Sequence, residues 1–410
     1  MGMRKLEVRL FREGDAAGVA ELLNASDAAW PGTFTGGIPY TAERVLRNRA
    51  EESLILDLVA AEGEKILGYC TLTRDWRDPN ALYVGFLDVH PDYHGRGIGK
   101  RLLLGALEEA IRRGVPYVSL NTWSGNERAI GLYKKLGFFW VPGTSVRMEN
   151  FIPAILGNPW VREFLGDANW IDCLRREISP GEDREEWRGR EVYRYRFERA
   201  GDFLEVIIDR EAKRPCAFLS PRFSAELWTE PGKPRAILPF DVHWRLENKD
   251  EKPLTVAVAA RGDPGVEISG GELIPLEPKA ARAGAFRCVV TAMGSDPRRP
   301  APAARLSLLS EAGTLELACG LRPAPPVEIS PGPEPTVTRP DAPEAIRLFL
   351  TNPTGSPLSG KVYLSAEGVT ELKPSSFAFD LAPRETKALE SVSYTHLRAH
   401  ETEADLVCRL

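Results

Sequence analysis

The sequence predicts an α/β (α+β) domain of about 150 residues followed by all-β domains. First, residues 81–89 form a β-rich apolar run that leads into a glycine loop and then into apolar residues at helical spacing. Second, apolar and polar residues alternate from residue 193 onward, as in strands with one buried face. Third, the stretch from residue 246 resembles the stretch from residue 350, which indicates two copies of one β domain.

The loop HGRGIGKRLL, His94 to Leu103, joins the strand to the helix. Glycine permits positive φ, and the first turn of a helix offers unpaired N–H groups with a partial positive charge. Arg96 and Lys100 add charge at the same corner, so the loop suits a phosphate or diphosphate. A Walker loop is excluded because Arg101 follows the Gly-Lys pair where a hydroxyl residue is needed, and the glycine spacing fits the Rossmann pattern poorly.

The elements on either side of this loop follow in order. Residues 7–25 predict a first strand and an amphipathic helix that begins near Asp15, and residues 53–76 predict a hairpin that turns at residues 62–64. Residues 115–123 predict another strand. A second motif, NERAIGLYKKLGF from Asn126 to Phe138, predicts a helix with an apolar stripe and with Gly137 at its C-terminal cap.

The segment VHPDYHGRGIGKRLL resembles the acyl-CoA loop of the GNAT superfamily of N-acyltransferases, and the second motif resembles that superfamily's Asn, Ala, Leu-Tyr helix. The resemblance covers residues 3–150. It implies the GNAT fold, a mixed central sheet flanked by helices, in which neighbouring strands splay to admit pantetheine. It also implies acetyl-CoA as co-substrate, and the residues expected to bind it are Leu87, Val89, His94, Gly95, Arg96, Gly97, Ile98, Gly99, Lys100 and Asn126.

The resemblance also assigns chemical roles. Backbone amides near Leu87 to Val89 are expected to hold the thioester carbonyl, and Tyr133 is expected to protonate the departing thiolate, the alternative being an aromatic core residue on the apolar stripe of its helix. His94 stands where the family carries Gln or Arg, so we expect a weaker or more pH-dependent diphosphate contact. No base is assigned: no carboxylate stands at Tyr83, where some relatives carry a glutamate, and we expect Asp88 to lie at the surface or anchor a loop.

The acceptor is expected to be a small-molecule or peptide amine, contacted by aromatic residues in loops beside the central strands. These residues are Trp30, Phe34, Trp76 and Trp123, for which the alternative is a lid over the core. Asp75 or Asp78 could pair with a cationic acceptor, the alternative being a solvated surface charge.

Composition excludes several classes of function. The chain has 410 residues, 43% of them apolar, and a net charge of −5. The first 150 residues hold 19 acidic and 19 basic side chains, which is not the footprint of a nucleic-acid-binding protein. The six cysteines lack metal-ligand spacing, so we expect reduced thiols and no metal. No targeting or membrane-spanning segment stands out, and we expect a cytoplasmic, bacterial protein with no membrane partner.

Beyond the acetyltransferase-like region the sequence predicts helical turns and a β meander over residues 151–236, then an immunoglobulin-like sandwich over 237–321. Residues 322–343 are expected to be a proline-rich linker, and 344–392 a truncated second copy of the sandwich. The repeat matches Asn248 to Asn352, 104 residues apart. Residues 393–410 resemble a translated sequencing-adapter tail, so no function is assigned to His396, His400 or Cys408.

Two functions remain open at this stage. The first is an active N-acetyltransferase in which a primary amine attacks acetyl-CoA directly. The alternative is a catalytically impaired GNAT-fold module that binds acyl-CoA within a multidomain binding protein. The immunoglobulin-like domains could contact a protein or a glycan in either case. Intact Gly97, Gly99, Asn126 and Tyr133 favour the enzyme, whereas His94 favours the alternative.

Overall fold

The structure, a computed structural model, describes residues 6–50, 53–230, 234–291, 296, 299–311, 313–332, 344–364 and 371–394. The chain divides into two compact units, and most of the second unit is formed by residues after Arg322. Within the described ranges, no helix is long and apolar enough to cross a membrane.

The N-terminal part of the first unit is a mixed sheet with helices on both faces. Its strands are β1 (Glu7–Leu10), β2 (Leu54–Glu62), β3 (Lys65–Arg74), β4 (Leu82–Val89), β5 (Val118–Asn121), β6 (Phe139–Trp140) and β7 (Arg147–Asn150), in the order β1-β2-β3-β4-β5-β7-β6. Its helices are α1 (Ala16–Ser26), α2 (Ala42–Arg49), α3 (Ile98–Arg113) and α4 (Glu127–Lys135). These elements confirm the predicted hairpin, strand, glycine loop and second-motif helix. Gly137, at φ 91°, follows the end of α4 as expected.

Each face of this sheet has its own apolar core. Helices α3 and α4 pack on one face, where Leu102, Leu103, Ala106 and Leu107 are fully buried. Helices α1 and α2 cover the other face, around Val19 and Val59. Successive side chains along β4 therefore point alternately into the α3/α4 core and into the α1/α2 core.

Strands β4 and β5 separate along their length. They pair in parallel only at Leu82 with Val118 and at Tyr83 with Ser119, although β4 continues to Val89. A β-bulge interrupts the pairing of β3 with β4 between Thr71 and Leu72. The C-terminal half of β4 thus has a free edge, which confirms the predicted splay between neighbouring strands.

The rest of the first unit is rich in β structure. Its helices and strands are α5 (Ile152–Gly157), α6 (Pro159–Leu165), α7 (Trp170–Cys173), β8 (Leu174–Arg175), β9 (Glu186–Trp187), β10 (Arg190–Arg199), β11 (Asp202–Asp209), β12 (Arg214–Leu219), β13 (Phe223–Thr229), β14 (Phe240–Asn248), β15 (Leu254–Gly262), β16 (Val266–Ile268), β17 (Gly270–Leu276), β18 (Ala281–Val290), β19 (Ala303–Ser310) and β20 (Gly313–Gly320). One sheet has the order β16-β18-β14-β13-β12-β11-β10-β8, with β9 on β10, and another has the order β17-β15-β19-β20.

The predicted alternation in β10 is confirmed, because Tyr193, Tyr195 and Phe197 are all buried. The sheet also runs across residue 237, where the sequence placed a domain boundary, because β13 pairs with β14 over Thr229 to Val242. Alternation shows which face of each strand is buried but does not show which strands are neighbours. For that reason the sequence could not reveal that these strands share one sheet.

The second unit contains β21 (Glu328–Pro331), β22 (Glu344–Thr351), β23 (Leu358–Tyr363), β24 (Glu371–Lys373), β25 (Ser376–Leu381) and β26 (Thr386–Tyr394). The strand order is β21-β22-β26-β24 in one sheet, and β23 pairs with β25. The structure differs here from the predicted linker, because its residues 328–331 form a strand. A proline at the end of an edge strand is tolerated because it removes no inner ladder bond. Residues 333–343 and 395–410, with His396, His400 and Cys408, lie outside the described residues.

The two asparagines matched by the repeat make equivalent contacts. Asn248 Nδ2 donates to the carbonyl oxygens of Lys252 at 2.8 Å and of Leu276 and Glu277 at 3.2 Å. Asn352 Nδ2 donates to those of Ser356 at 2.8 Å, Leu381 at 3.3 Å and Ala382 at 2.9 Å. Both asparagines are buried, so each satisfies three carbonyl groups in the same local arrangement.

Replacing either asparagine with alanine is expected to lower the free energy of unfolding by about 2–3 kcal/mol, because buried carbonyl groups lose their donor. Chemical denaturation followed by circular dichroism measures the change. The exposed Asn48 provides a control, because Asn48→Ala removes the same group from a solvated helix surface. Equal stability of Asn248→Ala and Asn48→Ala contradicts the assigned role.

Candidate active site

The glycine loop presents backbone N–H groups at the start of α3. Gly95 has a φ of 82° and Gly97 a φ of 75°, a conformation that favours glycine. Gly97 is the N-cap residue, and among the described residues no side chain caps the helix. Since the first intrahelical donor is Arg101, bonded to the Gly97 carbonyl at 3.1 Å, the amides of Ile98, Gly99 and Lys100 remain available to an anion.

Three cations surround this helix start. Lys100 is exposed and has no ion-pair partner among the described residues. Arg96 pairs with Glu62 in the β2–β3 hairpin, and its guanidinium lies 5.2 Å from the ring centre of Tyr93. Arg128 on α4, which the sequence did not single out, lies beside the loop, because a β-carbon on Gly95 would be 3.8 Å from its Nη2. The loop therefore combines free amides with positive side chains.

Two other residues expected to bind the coenzyme have partners within the protein. The His94 ring lies with Nε2 2.8 Å from the carbonyl oxygen of Val89, so the ring packs back on the end of β4. Asn126 is the N-cap residue of α4, and its Nδ2 donates to Thr122 Oγ1 at 3.1 Å. Both side chains hold the loop and α4 in place beside the splayed strands.

The free edge of β4 carries the amides expected to face a thioester. His90 donates its backbone N–H to the Leu67 carbonyl at 3.0 Å, so the adjacent even-numbered residues direct their N–H groups to β3. The odd-numbered Leu87 and Val89 direct theirs to the gap left by β5. The Val89 amide donates to Asp88 Oδ1 at 2.9 Å, which leaves Leu87 as the amide available to a carbonyl oxygen in the gap.

Tyr133 on α4 is buried, and its hydroxyl has no hydrogen-bond partner among the described residues. Burial raises the pKa of this phenol, and Cys70, Tyr83 and Asp88 nearby act in the same direction. Tyr133 belongs to the apolar core that α3 and α4 form with β3 and β4, so its ring lies on the α3 side of the sheet. The side chain is a neutral proton donor throughout the physiological pH range.

Asp88 is buried, in contrast to the surface position considered from the sequence. It lies on the α1 face of β4. Burial raises the pKa of its carboxyl to about 6, against the opposing effects of Ser26 and the Val89 amide. Its Oδ1 accepts the Val89 N–H bond, so the carboxylate anchors the end of β4, which agrees with the anchoring role.

Replacing Asp88 with asparagine is expected to stabilise the protein at high pH, because the folded-state pKa lies above the ordinary value of 3.8. Because the folded protein holds the Asp88 proton more tightly than the unfolded chain does, the protonated side chain does not destabilise the fold below about pH 4. Stability is lost as the pH rises through about 6 and the buried carboxyl ionises. Asp88→Asn should therefore add about 3 kcal/mol at pH 8 and little at pH 4, as measured by denaturation at both values. Turnover should stay within about threefold of wild type, and a hundredfold loss would instead identify Asp88 as the base.

The aromatic residues expected to contact an acceptor fall into two groups. Trp30 lies 5.2 Å from Phe34 and 5.1 Å from Trp123, as ring-centroid distances, so the α1–α2 loop meets the segment after β5. Phe34 also lies 6.0 Å from Phe86, as a ring-centroid distance, which extends the cluster onto the α1 face of β4. Trp76 is separate: it is 60% exposed and its ring centroid lies 4.8 Å from that of Tyr83, where β4 and β5 part.

The structure corrects the suggestion that Asp75 or Asp78 binds a cationic acceptor. Asp75 is buried, its Oδ2 accepts from Arg147 Nη2 at 2.6 Å, and Ser119 Oγ donates to the same oxygen. Asp78 is also buried and accepts the backbone N–H of Asn80 at 3.0 Å. Both carboxylates are used inside the protein because the β3–β4 loop folds back on the sheet.

A cavity of about 170 Å³ lies on the α1 and α2 side of β4, next to the bulge. Sequence patterns do not predict this cavity, because its wall combines residues that are far apart along the chain. It is lined by Leu23, Tyr40, Val45, Asn48, Arg49, Leu54, Tyr69, Thr71, Thr73, Gly85 and Phe86. Its wall is mainly apolar and aromatic with a few polar groups, as is typical of a small-molecule site.

Comparison with known proteins assigns this region to a family. Residues 19–138 match the acetyltransferase (GNAT) family. An acetyltransferase of Pectobacterium atrosepticum is 30% identical over 133 residues, which make up 32% of this chain and 87% of that protein.

Solved structures are similar to about a third of this chain. The PaiA N-acetyltransferase of Thermoplasma acidophilum, in complex with coenzyme A, is 21% identical, covers 36% of this chain and 99% of its own, and gives a TM-score of 0.30. A GNAT-family acetyltransferase of Brucella melitensis, in complex with acetyl-CoA, is 22% identical, covers 36% of this chain and 87% of its own, and gives a TM-score of 0.29.

Proposed function

The chain belongs to the GNAT acetyltransferase family through its N-terminal domain, and on that premise we propose that it transfers an acetyl group from acetyl-CoA to a primary amine, with Tyr133 as general acid. The acceptor is a small molecule or a peptide amine. The observation that carries this proposal is the gap beside β4, with free amides at the start of α3 and, on the same face of the sheet, Tyr133, whose hydroxyl has no partner among the described residues.

In the proposed complex the coenzyme's diphosphate binds the amides of Ile98, Gly99 and Lys100 and is attracted by the side-chain charges of Lys100 and Arg128. The pantetheine arm occupies the gap, where it pairs with the free edge of β4 as an added strand does. The thioester carbonyl oxygen accepts the Leu87 amide. That amide stabilises the oxyanion of the tetrahedral intermediate.

The amine lone pair attacks the thioester carbon, and a C–N bond forms. As the intermediate collapses, the C–S bond breaks and the sulfur takes its electron pair. Tyr133 donates its proton to the sulfur, and the proton released by the substrate nitrogen returns to the phenolate through water. The products are an N-acetyl amide and the free thiol of coenzyme A.

We propose that the aromatic cluster of Trp30, Phe34 and Trp123, together with Trp76, contacts the acceptor at the mouth of the gap. Its rings connect the α1–α2 loop with the segment after β5. Amines with apolar or sugar-like surfaces fit such a wall.

The alternative is an acyl-CoA-binding module without turnover. The position of the His94 ring favours this alternative. Its Nε2 contacts the Val89 carbonyl oxygen, so the ring adds no hydrogen-bond donor for a diphosphate beside the loop amides. Outside the catalytic domain, we propose that the stretches 237–321 and 344–392 are related immunoglobulin-like repeats, the first of which shares a sheet with β10–β13. The equivalent contacts of Asn248 and Asn352 support this relation. We also propose a cytoplasmic location.

A thiol-release assay with acetyl-CoA tests the proposed activity. The amines are spermidine, glucosamine, kanamycin and an alanyl tripeptide, with propionyl-CoA as a second donor. Amine-dependent release of coenzyme A with formation of the N-acetyl product is the expected result. Tight binding of acetyl-CoA with no release above hydrolysis for any amine supports the module without turnover.

A further inference from the structure

Lys213 lies outside the acetyltransferase domain, in the turn between β11 and β12, yet its amino group contacts that domain's sheet. Its Nζ donates to Glu149 Oε1 on β7 at 2.6 Å and to the Tyr117 hydroxyl at 3.3 Å. The turn is well defined: Lys213 has a φ of 53°, and its backbone N–H bonds the Asp209 carbonyl at 2.8 Å. The sheet that contains β10 to β14, called the second sheet below, therefore places a cation against the outer strands of the acetyltransferase sheet.

From Glu149 the contacts continue to the wall of the gap. Arg147 Nε donates to Glu149 Oε1 at 3.1 Å, and its Nη2 donates to Asp75 Oδ2 at 2.6 Å. All these groups are buried. Burial by itself raises the pKa values of Glu149 and Asp75, but the neighbouring cations and hydrogen-bond donors have the larger combined effect, so both pKa values lie below their ordinary values. Two carboxylates and two cations thus balance in charge, and Lys213 is one of the two cations.

Asp75 connects this network to the acceptor side of the gap. Its Oδ1 accepts the Arg77 backbone N–H at 2.8 Å, and its own backbone N–H bonds the Ala81 carbonyl at 3.0 Å. The carboxylate therefore fixes the loop that carries the exposed Trp76. It also binds Ser119 on β5, opposite the position where Tyr83 marks the separation of the strands.

We propose that Lys213 is a positioning residue for acceptor recognition, acting through Glu149, Arg147 and Asp75 on the Trp76 loop and on the β5 wall. The catalytic unit then extends beyond the family's domain into the second sheet. The inference rests on the proposed function, because it assumes that the acceptor enters beside Trp76. The coenzyme loop lies apart from this network: no contact of residues 94–100 among the described residues involves it.

The test is Lys213→Met, which keeps the length of the side chain and removes its charge. With the panel amine that gives wild type its highest rate, kcat/KM for the amine should fall at least about tenfold, while the Kd of acetyl-CoA stays within about threefold. Hydrogen exchange should accelerate in residues 75–83 and 118–121 but not in residues 95–103. The proposal is overturned if kcat/KM for the amine and the affinity for acetyl-CoA fall equally, or if hydrogen exchange in the Trp76 loop is unchanged.

Two variants serve as controls. Lys279→Met changes a lysine with a φ of 59° whose ion pair with Glu251 is exposed, and it should behave as wild type. Lys213→Met combined with Glu149→Gln removes one charge of each sign and should recover most of the lost kcat/KM, which also keeps the proposal testable if Lys213→Met alone does not fold. Failure to recover counts against the charge network.

The exchange measurement requires no acceptor. If wild type fails to bind acetyl-CoA, the proposed function fails, whereas the exchange pattern still decides whether Lys213 holds the Trp76 loop.

Discussion

Replacing Tyr133 with phenylalanine is expected to lower kcat by one to three orders of magnitude and to leave the Kd of acetyl-CoA within about threefold. The hydroxyl has no protein partner among the described residues, so its loss breaks no structural bond. What is lost is the proton for the departing thiolate. Because the pKa of the phenol is raised above its ordinary value of 10, wild-type turnover should show no decline from phenol ionisation below pH 10. Stopped-flow and steady-state kinetics across pH measure both effects.

Tyr193→Phe is the matched control for this experiment. Tyr193 is buried in the second sheet, and its hydroxyl also lacks a partner within the described part of the chain. The same atom is removed outside the gap, from a ring that stacks on Phe139 at a ring-centroid distance of 4.6 Å, so kcat should not change. A comparable fall in kcat and in acetyl-CoA affinity for Tyr133→Phe would assign the ring to packing and remove it from the mechanism.

The second large effect is expected at the helix start. A carboxylate introduced by Gly97→Asp would lie beside the amides of Ile98, Gly99 and Lys100 and compete with the diphosphate for them. Each charge-assisted hydrogen bond contributes about 1.5–3 kcal/mol, so losing two should raise the Kd of acetyl-CoA at least about a hundredfold. Calorimetric titration measures the change.

Gly114→Asp controls for backbone strain, because Gly114 ends the same helix at a φ of 65° and a β-carbon there would meet no atom within 4 Å. Both substitutions replace a glycine of positive φ at an end of α3, so both strain the backbone there. Only the one at Gly97 should weaken coenzyme binding, whereas Gly114→Asp should lower stability alone. Similar Kd values for the two variants would mean that the amides of α3 do not hold the diphosphate.

Much of the catalytic domain was predictable from local patterns. The glycine loop, the second-motif helix and the β2–β3 hairpin are each specified by residues close together in the chain, so periodicity and turn chemistry were sufficient to identify them. The separation of β4 from β5 could be expected only through the resemblance to the GNAT superfamily. Nothing in the local sequence of β4 indicates that its edge is free.

Contacts between distant segments were not predictable. Asp75 has the sequence surroundings of a surface charge, and its burial depends on Arg147, which is 72 residues away. Lys213 lies in a polar turn, and only the placement of the second sheet brings it to Glu149, 64 residues earlier. Arg128 approaches Gly95 for the same reason. These charges acquire their roles from tertiary packing, which hydrophobic patterns do not encode.

The central claim is that α3 amides bind the diphosphate while the β4 gap holds the thioester. Calorimetric titration with acetyl-CoA, repeated with acetyl-pantetheine, which lacks the diphosphate, tests it most directly. We expect one site per chain for acetyl-CoA and binding of acetyl-pantetheine weaker by at least about a hundredfold. Equal affinity for the two thioesters, or no binding of acetyl-CoA, would contradict it.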